Sequence, residues 1–198
     1  VRKGYRIPEA GRAARGQNIV NIIPTDPGEK VSAMIAGRGI SEDSYLVFVT
    51  RSGTVKRTAQ SAFRNIRSNG IRALSLDEGD ELITVLQTSG EDKILLATHD
   101  GMAICFNETD ARAMGRDAVG VRGIRLREGD FVVGAGIAAE GSAILSITEN
   151  GYGKRTDVSE YSVQNRGGMG LKNYNVTDKT GPIADVVIVH GDEDLLVI

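Results

Sequence analysis

Tryptophan is absent from this chain and cysteine occurs once, and each scarcity removes a class of function. Aromatic residues, at 5%, are too few for an aromatic cage or for a platform that stacks single-stranded bases. A single cysteine, Cys105, excludes an internal disulfide framework and suits a reducing, cytoplasmic setting. It sits in the apolar run Ala103-Ile104-Cys105-Phe106 and reads as a small buried strand residue. No apolar stretch approaches the roughly 18 residues of a membrane-crossing helix, and no signal peptide is recognisable, so no membrane partner is expected. The two histidines, His99 and His190, lie in different turns without cysteine or a second histidine at ligand spacing. They read as surface turn residues, and no metal site is expected. The chain opens on Val1-Arg2-Lys3 without an initiator methionine and reads as a segment of something longer.

Catalytic patterns are lacking too. The run Asp77-Glu78-Gly79-Asp80-Glu81 has carboxylates without the spacing of a calcium loop, so it reads as a turn. Gly151-Tyr152-Gly153-Lys154-Arg155 lies between two strands with no helix after it, which excludes a phosphate-binding loop of the Walker type. No Gly-x-Ser-x-Gly elbow occurs. No catalytic residue and no cofactor is expected in this segment.

Glycine is plentiful, with 25 residues against four prolines, and points to many tight turns between short strands. The glycines repeat. Apolar runs Tyr45–Thr50, Ile94–Thr98 and Ala143–Thr148 each lead into a turn ending at Gly53, Gly101 or Gly151, 48 and then 50 residues apart. A second series, Gly16, Gly70, Gly123 and Gly170, is expected to precede a strand, and a third falls at Gly28, Gly79, Gly129 and Gly181. A period near 50 with four short strands per unit predicts an all-β, propeller-like array of four-stranded blades. The units run over about 1–44 (truncated), 45–92, 93–142 and 143–193, with 194–198 opening a fifth, all in one domain. Only single helical turns are expected, at 58–63 and 107–112.

Net charge is −2, which argues against nucleic acid only if the charges are evenly mixed. They are not. Acids gather in the turns at 26–29, 77–81 and 128–130. Bases gather between the second and third strands of each unit: Arg6, Arg12 and Arg15; Lys56, Arg57, Arg64, Arg67 and Arg72; Arg112, Arg116, Arg122, Arg125 and Arg127; Lys154, Arg155, Arg166 and Lys172. Repetition in register predicts a positive stripe around the domain, the footprint of wrapped duplex DNA. No recognition helix or zinc finger is present, so binding should follow the phosphate backbone and DNA bendability. Lys56-Arg57 and Lys154-Arg155 have a second reading, with stems packed along the strand and heads in water.

Several stretches resemble the C-terminal domain family of the A subunit of bacterial DNA gyrase. They are Ile7–Ala10, Ala14–Gly16, Ile19–Ile22, Ser52–Lys56, Asp77–Leu82, Gly120–Arg125 and Glu149–Thr156, in order along the whole chain. The resemblance implies a β-pinwheel whose neighbouring blades exchange a strand and whose rim wraps DNA. It also implies a parent type II topoisomerase, a cytoplasmic, nucleoid-associated A2B2 assembly with the B subunit, in which ATP and magnesium act outside this segment.

The family's hallmark heptad is Gln-Arg-Arg-Gly-Gly-Lys-Gly. Its counterpart here, Gln164-Asn165-Arg166-Gly167-Gly168-Met169-Gly170, lacks two of the charges and reads as a degenerate copy, which places the intact heptad upstream of Val1. Two other readings remain at this point: the corresponding domain of topoisomerase IV, and a propeller that serves as a protein-interaction scaffold.

Overall fold

The computed structural model describes residues 7–23, 31–35, 43–66, 70–191, 193 and 194. Arg6, Arg67, the acidic turn at 26–29 and the residues after Asp194 lie outside them. The described residues form three antiparallel sheets and a few 3-10 turns. No helix among them is long and apolar enough to cross a membrane. Within the truncated unit at 1–44 they form a 3-10 turn, Ile19–Asn21, and no strand; the first, second and third sheet-forming units are 45–92, 93–142 and 143–193.

The strands are β1 (Tyr45–Thr50), β2 (Thr54–Ala59), β3 (Leu82–Thr88), β4 (Lys93–Thr98), β5 (Met102–Asn107), β6 (Val121–Arg122), β7 (Val132–Ile137), β8 (Ala143–Thr148), β9 (Gly153–Asp157), β10 (Leu171–Lys172) and β11 (Ile183–Val189). Three hairpins, β1–β2, β4–β5 and β8–β9, turn at Gly53, Gly101 and Gly151, whose φ angles of 81°, 81° and 80° favour glycine. The predicted helical turns form as 3-10 turns at Gln60–Phe63 and Glu108–Asp110, with a third at Val158–Glu160.

Sheets and sequence units do not coincide. The strand orders are β3-β1-β2-β6, β10-β5-β4-β7 and β11-β8-β9. The short strand β6 leaves its own unit to pair with β2 of the preceding one, Thr54 opposite Arg122. Likewise β10 pairs with β5, Lys172 opposite Met102. The glycine that permits this exchange is Gly120, not Gly123 as the sequence suggests. Gly120 and Gly170 stand immediately before β6 and β10 with positive φ, whereas Gly123 follows β6. A Cβ on Gly120 would sit 2.6 Å from the Val55 carbonyl oxygen, so only glycine lets the incoming strand reach hydrogen-bonding distance. Gly123 is needed for packing instead, since a Cβ there would meet Val55 at 2.6 Å and Leu96 at 2.7 Å.

Alternation along β4 explains its unbroken apolar sequence. Ile94 and Leu96 join a core with Val47, Val49 and Val55 of the first sheet, while Leu95 and Ala97 join Ile144 and Val158 on the other side. The middle sheet is therefore buried on both faces, with Cys105 inside it. At one edge the sheets converge, β7 packing against both β3 and β11. Gly134 and Gly136 make that approach possible, since a Cβ on Gly134 would meet Val186 at 2.7 Å. The exchanged strands lie at the opposite, outer edge.

Several polar groups are buried between units. Glu108 is 1% exposed and opens the 3-10 turn after β5. Its carboxylate accepts hydrogen bonds from the Gly90 and Asp92 amides, both at 2.8 Å, and from the Thr88 hydroxyl at 2.7 Å. It thus staples the turn between β3 and β4. The Arg57 guanidinium lies 3.5 Å from Glu108 and is stacked 4.4 Å over the Tyr45 ring. Lys56 is fully buried and donates to the carbonyls of Ala73 (2.7 Å) and Arg116. Burial pushes its ammonium below the usual lysine range, with Asp117 opposing that shift and Arg116 adding to it.

Two outcomes follow for denaturant unfolding. Glu108→Ala leaves three donors and a buried guanidinium without their acceptor and should cost about 3 kcal/mol or more; an unchanged midpoint would refute the staple. Gly120→Ala should destabilise clearly more than Gly129→Ala, whose added Cβ meets nothing within 4 Å and which bears only the left-handed backbone cost of about 1–2 kcal/mol.

Candidate nucleic-acid interface

The outer edge repeats one basic position. Arg72, Arg122 and Lys172 stand 50 residues apart, are all exposed, and the last two lie in exchanged strands. Each of the first two is held from the following unit through its main chain. Arg116 Nη1 donates to the Arg72 carbonyl at 3.4 Å, and Arg166 Nη1 donates to the Arg122 carbonyl. Arg166 also donates from Nε to the Asp110 carbonyl at 3.1 Å. Arg116 and Arg166 are therefore half-buried clamps that fix the backbone beneath a neighbour's exposed cation.

The degenerate heptad at 164–170 is the loop that carries this clamp. The Gln164 amide donates to the Cys105 carbonyl, the Gly167 amide donates to that of Gly123, and the Gly168 carbonyl accepts from the Arg125 amide, each at 2.8 Å. Gly167 and Gly170, with φ of 83° and 76°, let the loop lie flat on its neighbour. Asn165 and Met169, which replace the hallmark's basic residues, are exposed.

The predicted basic residues thus divide. Lys56 and Arg57 are corrected from surface to interior, because the loop of the next unit covers β2. Their counterparts Lys154 and Arg155 are exposed on β9, which has no exchanged strand against it among the described residues. Arg112 and Arg125 are exposed near the outer edge of the second unit and Arg127 is exposed in the acidic turn before β7, all without a basic counterpart in the third, where Ser162, Asn175 and Thr177 stand. Arg64 is exposed after the 3-10 turn Gln60–Phe63, and Arg12 and Arg15 are exposed outside the three sheets. Arg67 lies outside the described residues. Arg57 is paired with Glu108, whereas Arg72, Arg122, Arg125 and Lys172 have no acidic partner among the described residues and carry unneutralised charge. No sequence signal marks the clamps, because one arginine looks like another until the strand it holds is known.

The acidic turns at 77–81 and 128–130 lie toward the other edge and are structural. Asp80 accepts from the amides of Ser52 (2.8 Å) and Glu81 (2.9 Å) and from the Ser52 hydroxyl (2.6 Å), tying the hairpin turn of β1–β2 to the start of β3. Asp130 repeats this with the amides of Asp100 and Phe131 at 3.0 and 2.8 Å. The carboxylates of Asp80 and Asp130 are engaged by these amides and hydroxyls, while the outer cations Arg72, Arg122, Arg125 and Lys172 have no ion-pair partner among the described residues.

A family model described as DNA gyrase C-terminal domain, beta-propeller, matches residues 3–37, 44–89, 92–139 and 143–190. The chain belongs to this gyrase A C-terminal domain family. It is 46% identical over 199 aligned residues to the DNA gyrase A subunit of Staphylococcus aureus (strain NCTC 8325), covering 99% of this chain and 22% of that protein. It is 47% identical to the Staphylococcus epidermidis protein over the same shares. The chain thus spans about a fifth of these curated relatives. Among solved structures, the C-terminal domain of a DNA topoisomerase IV superposes with a TM-score of 0.80 at 29% identity, covering 88% of this chain and 55% of that one. A DNA gyrase A C-terminal domain superposes with 0.78 at 28% identity, covering 89% and 59%. Membership in the gyrase A C-terminal family agrees with the strand exchange observed between the sheets.

Acid should loosen the Asp80 turn. Burial alone would raise the Asp80 pKa, but the Ser52 hydroxyl and the two amides outweigh it and hold the carboxyl below the usual aspartate range. A depressed folded-state pKa means that this stability is complete above about pH 4 and fades as pH falls through the lowered value. The unfolding midpoint of Asp80→Asn should therefore fall less steeply with acid than that of the parent chain. Parallel curves would contradict this.

Proposed function

We propose that this domain binds and wraps duplex DNA without sequence specificity along its outer edge, as the wrapping domain of a DNA gyrase. The observation that carries the reading is the exposed, unpaired cation at 72, 122 and 172, set on each unit's third-strand segment at the same register. Successive blades offer the phosphate backbone successive cations along a curved surface, and no device for reading bases accompanies them. Arg125 and Arg112 extend the contact in the second unit, and Lys154 and Arg155 in the third. The heptad at 164–170 contributes mainly by shape, because its one arginine is engaged with the main chain and its two other basic positions are replaced.

The parent protein on this reading is an A2B2 type II topoisomerase of the bacterial cytoplasm, associated with the nucleoid. There, ATP and magnesium act on other parts of the assembly, and this domain contributes binding without catalysis. The solved structures of the topoisomerase IV and gyrase domains match almost equally well, so the fold does not separate those two readings. The 46% identity to a gyrase A subunit and the surviving heptad favour gyrase.

A salt titration of binding to a long duplex tests the proposal. Affinity should fall by orders of magnitude between about 50 and 200 mM salt. Charge reversal at Arg122, Arg125 and Lys172 should weaken binding equally for unrelated sequences and reduce the salt slope by roughly one for each phosphate no longer neutralised. Salt-independent binding, or none, would instead support a protein-interaction scaffold.

A further inference from the structure

We propose that His99, Asp100 and Asp130 form a binding site for a divalent transition-metal ion of the zinc class. One ligand atom from each lies within 4.8 Å of the others. His99 and Asp100 come from the hairpin turn of β4–β5, and Asp130 from the acidic turn before β7. The histidine is oriented from three directions. Its ring stacks on Phe131, with centroids 4.4 Å apart and planes at 25°, and Arg51 covers the far face of Phe131 at 3.4 Å. Its Nε2 faces Glu149 of the next blade at 3.4 Å, and its Nδ1 faces Asp100 at 3.4 Å. Both ring nitrogens thus face carboxylates. In the proposed site Glu149 accepts from the protonated Nε2, and Nδ1 turns its lone pair to a metal shared with Asp100, the arrangement that supports metal-bound histidines.

Comparison with the first unit supplies the second argument. There the same turn carries Arg51 and Ser52, and the Ser52 hydroxyl donates to the second oxygen of Asp80 at 2.6 Å. In the second unit the arginine and the serine are replaced by His99 and by the carboxylate of Asp100. Asp130 is 9% exposed and keeps its two amide donors on Oδ1, and the place of the serine hydroxyl is taken by the Asp100 carboxylate. Two carboxylates and an imidazole therefore face one another where the sister turn has an arginine and a serine. A cation satisfies all three. One imidazole nitrogen and two carboxylate oxygens, completed by water, suit zinc or its neighbours better than magnesium or calcium, which prefer oxygen alone. The third unit, with Glu149, Asn150 and Thr180 in these places, has no such cluster.

Protonation of His99 would answer the same charges, so the experiment must separate a proton from a metal. The full chain, stripped with a chelator, is titrated with Zn2+ at about pH 7.5, above the ordinary histidine range, by calorimetry and histidine-ring NMR. One equivalent should bind and saturate the His99 resonances. His99→Arg and Asp100→Ser install the residues of the first unit, so the turn should still fold, and each should lower affinity at least about tenfold. His190→Ala should bind as the parent chain does. The site is overturned if His99 responds to pH but not to Zn2+, if saturable binding is absent below millimolar metal, or if both turn variants bind unchanged.

Discussion

The exchanged strand is the constraint on which the other features depend. A two-residue strand forms few ladder hydrogen bonds. So β6 and β10 depend on glycines that let them press on the preceding sheet, and on main-chain bonds from the residues after them to Gly53 and Gly101. An arginine of the following loop also grips the backbone of β6. Once they are placed, β2 is covered, Lys56 and Arg57 are interior, and Arg122 and Lys172 face outward. The same loop that completes one sheet therefore buries two cations and exposes another.

This resolves the low net charge. An excess of two acids says nothing about where charge lies, and here hydrogen bonding decides it. Asp80, Asp130 and Glu108 are spent on amides and hydroxyls that close turns, each a local need of the fold. The exposed arginines of the outer edge answer no such need among the described residues, since the clamping arginines hold the main chain beneath them and leave their side chains in solvent.

Much of the architecture is legible in the chain. The hairpin glycines at 53, 101 and 151, the apolar strands before them and the single helical turns all form where periodicity puts them. What fails to show is contact between units. Lys56 looks like any exposed lysine at the end of a strand, because the carbonyls that bury it lie 17 and 60 residues further on. Gly123 is easily mistaken for Gly120 because both flank the same dipeptide, although only Gly120 keeps the spacing of 50 from Gly70 and to Gly170. His99 reads as an isolated turn residue because its neighbours Asp130 and Glu149 arrive from other turns, and spacing rules search only along the chain.

The clamps have one more consequence. Arg166 belongs to the third unit, grips a strand of the second, and that strand is hydrogen-bonded into the sheet of the first. The third blade cannot tilt against the second without disturbing the first. Like overlapping roof tiles, three units share this joint, so the array should bend there as a stiff ribbon with a preferred radius. A polymer laid along its edge would meet that radius ready-made and would not have to impose it.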